Sequence, residues 1–379
     1  MKKKIQYLFI FLVLLQSCSN KKKYEYNLIS SKVIQLPKED YFLISSSCIE
    51  YNENKYGDFL YYLTNNVTTN SNEIIVFDLN NRKIQKKIIF DVKNGFTSTI
   101  HGFSILDNKT FICSNINENI FYLTDFNGKI IKKIPYDYID KKTGQEIFKL
   151  FSRNEKPIKK INNKLYFSPT LYTSLTEKEK ELSLLFSFDL TKDKLVNLNL
   201  MFPKNYVNSD FFDPNYSYCF ANEKIVFSFN NSNKIIVYDT KNQKSKELNV
   251  QSDNLRSFHK KTSVQEIKMK DALYNTVTYS SFTEIIYDKY RNVYYRFFYP
   301  GIEIDKTDDN LASKANHFEK MSILILDEKL NKIGETFFDN KLRFYSNFIT
   351  KEGLFVCSNL PQEKSENIKY TLLELKKNQ

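Results

Sequence analysis

One unit recurs along this chain and constrains its fold more than any other feature. An apolar run ends in Asp, a short polar turn follows, and a Lys opens the next run. It appears at 74–78 (Asp78, then Lys83), 120–125 (Asp125, Lys129), 184–189 (Asp189, Lys194), 235–239 (Asp239, Lys244) and 323–327 (Asp327, Lys332). The Lys follows the Asp by five residues in four copies and by four in the second, where Asn127-Gly128 permits a tighter hairpin. Asp at a turn start accepts hydrogen bonds from backbone N–H groups further on, and Lys entering an outer strand keeps that edge from pairing with another chain. A strand precedes each copy, and polar turns such as Asp107-Asn108-Lys109 and Asp288-Lys289 mark another before it. The unit is therefore a four-stranded antiparallel sheet.

Asp78, Asp125, Asp189, Asp239, Asp327 and Glu374 lie 47, 64, 50, 88 and 47 residues apart. Four strands per 40–50 residues describe propeller blades. The 58 Phe and Tyr suit strands, and the eight Gly and eight Pro exclude collagen-like or linker chains. The sixth copy, 370–374, reaches the C-terminus without a returning strand, and residues 32–37 supply a spare one at the other end. The expected fold is all-β: a six-bladed β-propeller of four-stranded antiparallel blades, closed by that N-terminal strand, over 31–379. Seven blades are the alternative, because the 88-residue interval has room for a degenerate one.

The N-terminus gives an address. Met1-Lys2-Lys3-Lys4, the apolar run 5–15 and Gln16-Ser17-Cys18 read as a secretory signal too short to span a bilayer. Leu15-Gln16-Ser17-Cys18 resembles a bacterial lipobox, which implies a signal peptide over 1–17, lipidation of Cys18 and a polar tether over 18–30. Ser19 rather than Asp favours the outer membrane, with the chain held on its periplasmic side or at the cell surface. The net charge is +12; Lys2–Lys4 account for three, leaving +9. Those lysines are scattered among Asn residues, so a solvated surface is expected and no nucleic-acid partner. Cys48, Cys113, Cys219 and Cys357 fall in apolar runs of different blades, beyond disulfide reach, and are expected as buried free thiols.

Long connections at 137–157, 169–180, 203–215, 251–278 and 301–320 are expected to carry binding if they share a face. His101, His259 and His317 are far apart and have no metal-ligand neighbour, so no metal or other cofactor is expected. The acidic loop with Glu303, Asp305, Asp308 and Asp309 lacks the spacing of a calcium loop. Arg296, beside Tyr295 in an aromatic strand, needs a partner, because an unpaired cation is costly there. Either it binds an anion near the channel or it ties neighbouring blades together. Arg296, Tyr295, His101 and His259 are the candidate ligand-binding residues.

The lipobox, the Asp-to-Lys hairpins, the strand Val293-Tyr294-Tyr295-Arg296 and the length resemble the Bacteroidota lipoproteins grouped as domain of unknown function 4221. The resemblance covers nearly the whole mature chain, implies a propeller-like fold and an envelope address, and brings no catalytic residues. The expected function is that of a monomeric, membrane-anchored scaffold or binding propeller for a protein or glycan. The alternative is a glycan lyase or hydrolase, which would gather two carboxylates, or His with Arg and Tyr, at one channel mouth.

Overall fold

The computed structural model of the chain describes residues 24–38, 48–66, 71–96, 99–136, 150, 152–169, 183–260, 269–316, 320–338, 342, 346–358 and 365–378. Its strands form six four-stranded antiparallel units. The N-terminal strand is β1 (Tyr26–Pro37). The first unit is β2 (Ile49–Asn54), β3 (Gly57–Asn66), β4 (Ser71–Asp78) and β5 (Lys83–Phe90). The second is β6 (Gly102–Ile105), β7 (Thr110–Asn115), β8 (Ile120–Asp125) and β9 (Ile130–Pro135). The third is β10 (Lys159–Ile161), β11 (Lys164–Phe167), β12 (Phe186–Asp189) and β13 (Lys194–Asn197). The fourth is β14 (Tyr216–Ala221), β15 (Lys224–Phe229), β16 (Lys234–Asp239) and β17 (Lys244–Asn249). The fifth is β18 (Ser281–Asp288), β19 (Val293–Tyr299), β20 (Met321–Leu326) and β21 (Lys332–Phe338). The sixth is β22 (Asn347–Ile349), β23 (Leu354–Cys357) and β24 (Asn367–Lys377), completed by β1.

β1 closes the sixth unit in a register that runs from Tyr26 opposite Lys377 to Pro37 opposite Asn367. The strand starts at Tyr26, so the sheet takes in the last part of the 18–30 segment expected to be tether. A parallel bridge from Tyr26 to Gly334 joins the fifth and sixth units. A Cβ at Gly334 would stand 2.3 Å from the Tyr26 carbonyl oxygen, so only glycine allows this approach.

The recurrent turns form as their chemistry requires. Asp239 Oδ1 accepts from the N–H groups of Lys241 and Asn242, Asp189 Oδ1 from those of Thr191 and Lys192, and Asp327 Oδ1 from those of Lys329 and Asn331. A left-handed residue reverses the chain just ahead of the Lys: Arg82, Gly128, Asp193 or Gln243.

The core lies between units. Six apolar clusters each join neighbours in the ring, from Tyr61 and Ile74 against Phe103 and Phe111 round to Ile34, Phe355 and Tyr370 against Leu60 and Ile75. The last pair links the sixth unit to the first and closes the propeller. Cys48, Cys113, Cys219 and Cys357 are buried free thiols. Among the described residues no helix is long and apolar enough to cross a membrane.

Candidate channel site

Innermost in each unit is its first strand, and the six first strands surround the channel. Antiparallel order sends the fourth-to-first and second-to-third connections to one face of the ring, and the remaining turns to the other. The strand ends from which all five long connections leave and to which they return lie on the first of these faces. Two of them pack together there: Lys306 pairs with Asp271 at 2.6 Å, and the Ile302 N–H donates to the Val277 carbonyl at 3.0 Å.

At that long-connection face the channel is closed by a hairpin at 152–157. Arg153 and Lys156 pair with each other, and the hairpin's polar groups reach four other units. Asn154 Oδ1 accepts from the Ile49 N–H at 2.7 Å, and Asn154 Nδ2 donates to the Asn347 carbonyl at 3.3 Å. The Glu155 carbonyl accepts from the Tyr218 N–H, and the Pro157 carbonyl from the Tyr218 hydroxyl, both at 2.8 Å. Ser152 Oγ donates to the Phe103 carbonyl at 2.9 Å. Gly102 makes room, since a Cβ there would fall 1.8 Å from the Ser152 oxygen. Lys156 is buried with its amine 3.9 Å from the centre of the Tyr216 ring, and burial lowers that amine to about 8. Burial likewise raises the Glu155 carboxyl.

Below the hairpin lies a cavity of about 540 Å³ to which the first strand of every unit contributes, and it extends to Asn222, Lys289 and Tyr290 in the short turns of the opposite face. Its walls include Ile49, Phe103, Ile105, Ile158, Ile285 and Phe348. Two carboxylates line it. Glu50 Oε2 accepts from the Ile105 N–H at 2.8 Å, and burial pushes this carboxyl up to about 7 against the opposing effects of that bond and of Lys159. Glu284, 1% exposed, accepts from Asn347 Nδ2 at 2.7 Å. At the open end the Tyr51 hydroxyl donates to Asp58 at 2.8 Å, that of Tyr287 to Asn292 at 2.7 Å and that of Tyr290 to Glu53 at 2.9 Å. Glu53 also pairs with Lys351. Burial and the bond to Glu53 push the Tyr290 phenol up to about 12. Arg153, Lys159, Lys160 and Lys289 supply the positive charge; Lys160 pairs with Asp107 at 3.0 Å.

The residues singled out from the sequence are not brought together. Arg296 is fully buried on β19, with its Cζ 3.3 Å from the centre of the Phe282 ring. Its Nε donates to Ser228 Oγ at 2.8 Å, Nη1 to the carbonyls of Val250 (2.8 Å) and Asn233 (3.3 Å), and Nη2 to those of Ser232 (2.8 Å) and Lys234 (3.4 Å). These bonds tie the fifth unit to the fourth, through carbonyls rather than a carboxylate. Tyr295 is buried beside it and donates to Asp288 at 3.2 Å, which also holds Arg291 at 2.9 Å. His101 lies just before β6, where its Nδ1 accepts from the Ile116 N–H at 3.4 Å; burial and Arg153 lower its pKa. His259 packs edge-on to Tyr279, 4.9 Å between ring centres, and burial lowers its pKa too. Cys18 and His317 lie outside the described residues. Among the described residues no three His, Cys, Asp or Glu converge as metal ligands would.

Sequence reasoning passed over Glu50 and Glu284. Glu284 stands between Phe282 and Ile285 in its strand, but the strand of Glu50 also carries Asn52, Glu53 and Asn54, so no pattern of residue types singles Glu50 out. Arg296 drew notice instead because its strand is so aromatic, but a second strand is covered on both faces by neighbouring sheets and does not reach the channel.

No curated protein matches this sequence. A member of the DUF4221 family from Bacteroides vulgatus superposes with a TM-score of 0.79 at 20% identity, covering 94% of this chain and all of the other. A Bacteroides fragilis protein described as exported superposes with a TM-score of 0.52 at 9% identity, covering 95% and 98%. Both likenesses concern the fold. The profile of DUF4221, a domain of unknown function, matches residues 25–337, and the chain belongs to that family.

Proposed function

We propose that this chain is a binding protein of the bacterial envelope, anchored by lipid on Cys18, that seats its ligand in the open end of the channel. One observation carries the reading: a cavity of about 540 Å³ is built from all six first strands and closed at its far end by the 152–157 hairpin. Concave sites of this size suit small ligands or chain ends, whereas a protein surface needs roughly 800 Å² on each partner. The reading therefore favours a glycan over a protein, and the short-turn face over the long connections. Capture of a partner from native membranes by the lipidated chain tests it. Capture should be lost in Tyr51→Ala and Tyr290→Ala; retention in both variants overturns the channel as the site. Cys18→Ala should move the protein from the membrane to the soluble fraction, and unchanged fractionation refutes the anchor.

A glycan lyase or hydrolase is the second reading. It is favoured by Glu50 and Glu284 lining one cavity, with Glu50 held near the pH at which a carboxyl can both give and take a proton. Turnover abolished by Glu50→Gln would establish it; binding without turnover in the parent chain supports the first.

A further inference from the structure

The geometry points to the terminal sugar of an acidic glycan chain as the ligand of the channel, an inference that rests on the binding reading above. The floor asks for hydrogen-bond donors. Glu50 and Glu284 present carboxylates among apolar walls, and Asn347, 4% exposed, lines the same cavity with its Oδ1 unpartnered among the described residues. Adjacent hydroxyls on one ring satisfy such a set, since each can donate to a carboxyl oxygen or to the amide oxygen of Asn347 that would otherwise be buried without a partner. The open end asks for a flat apolar face. Tyr51, Tyr287 and Tyr290 have their hydroxyls committed to Asp58, Asn292 and Glu53, so their rings are fixed before any ligand arrives. A pyranose carries its C–H groups on such a face.

The charge at the open end completes the description. Lys159 of the third unit and Lys289 of the fifth are exposed on different sides of the opening. A ring acid pointing outward meets an amine, while its hydroxyls point inward to the carboxylates. A polyamine would satisfy the floor alone and meet repulsion at those lysines. A neutral sugar would satisfy the floor and the rings and offer no charge to either amine, that of Lys289 lying 4.9 Å from the centre of the Tyr290 ring.

The test is calorimetric titration of the whole chain in detergent with short oligogalacturonides, cello-oligosaccharides of the same length, and spermidine. Oligogalacturonides should bind at one site per chain and more tightly than the neutral oligomers. Tyr290→Ala should weaken them roughly tenfold, the scale of one aromatic contact. Lys289→Glu, on an exposed turn, should erase the preference for the acidic over the neutral chain. Equal affinity for neutral and acidic oligomers, or binding of spermidine alone, overturns the acidic-sugar assignment and leaves the channel reading standing. Silence from all three probes, with membrane capture undiminished in Tyr290→Ala, overturns both.

Discussion

The two ends of the channel are built by opposite means. At the long-connection face the chain fills its own channel: Asn154 bridges Ile49 and Asn347, Tyr218 grips Glu155 and Pro157, and Gly102 clears the space. Nearby, Arg296 spends its donors on carbonyls of the fourth unit. At the short-turn face the phenols of Tyr51 and Tyr290 are braced from outside, and the exposed Lys289 holds its amine 4.9 Å from the centre of the Tyr290 ring. Polar groups at the first end hold the hairpin across the channel; at the second they hold tyrosine rings at the rim of the cavity. The described end of one long connection, 152–157, thus fills the channel mouth on its own face.

Substitutions can break that contrast. The largest effect is expected at the sealed face. Arg296→Ala strands several carbonyls and leaves a cavity, and should cost about 4 kcal/mol in a denaturant titration with channel binding unchanged. Loss of binding in a variant of unaltered stability would return Arg296 to the site. Gly102→Ala should cost about 3 kcal/mol, because the new methyl meets backbone at Ser152 and the hairpin must move. A melting temperature equal to that of the parent would show that the hairpin is not locked there.

Glu50→Gln sharpens the contrast from the open side. Folding raises the Glu50 carboxyl from its ordinary 4.5 to about 7 by burial, so the unfolded chain ionises first as pH rises. The protonated form favours the folded state fully below about 4.5, and that advantage is lost as pH climbs through about 7. The Gln variant should therefore gain about 1–2 kcal/mol over the parent at pH 8 and little at pH 4. Equal melting curves at both pH values would mean that Glu50 is better solvated than its surroundings imply.

The fold was legible because its grammar is local. Asp239 and Lys244 sit within one hairpin, as do Asp78 and Lys83, and the bonds that make those turns span only a few residues. The closing strand was legible as well, since 370–374 ends without a partner and 32–37 lacks one. The hairpin at 152–157 was hidden because its partners, Ile49 and Asn347, lie over a hundred residues away on either side. The need of Arg296 for a partner could be read from its aromatic neighbours, but carbonyls at 232–234 and 250 carry no sequence signature. Glu50 was missed for a related reason. Whether a strand residue faces a neighbouring sheet or the axis depends on strand tilt, which no pattern of residue types encodes.

The sealed end has a mechanical consequence. A ring open at both mouths would let a polymer thread through and slide. This one is a blind well, because Asn154 and its neighbours stand across the passage. On the binding reading proposed above, a chain that enters goes in tip first and leaves by the door it used, so the well suits the end of a chain rather than its length.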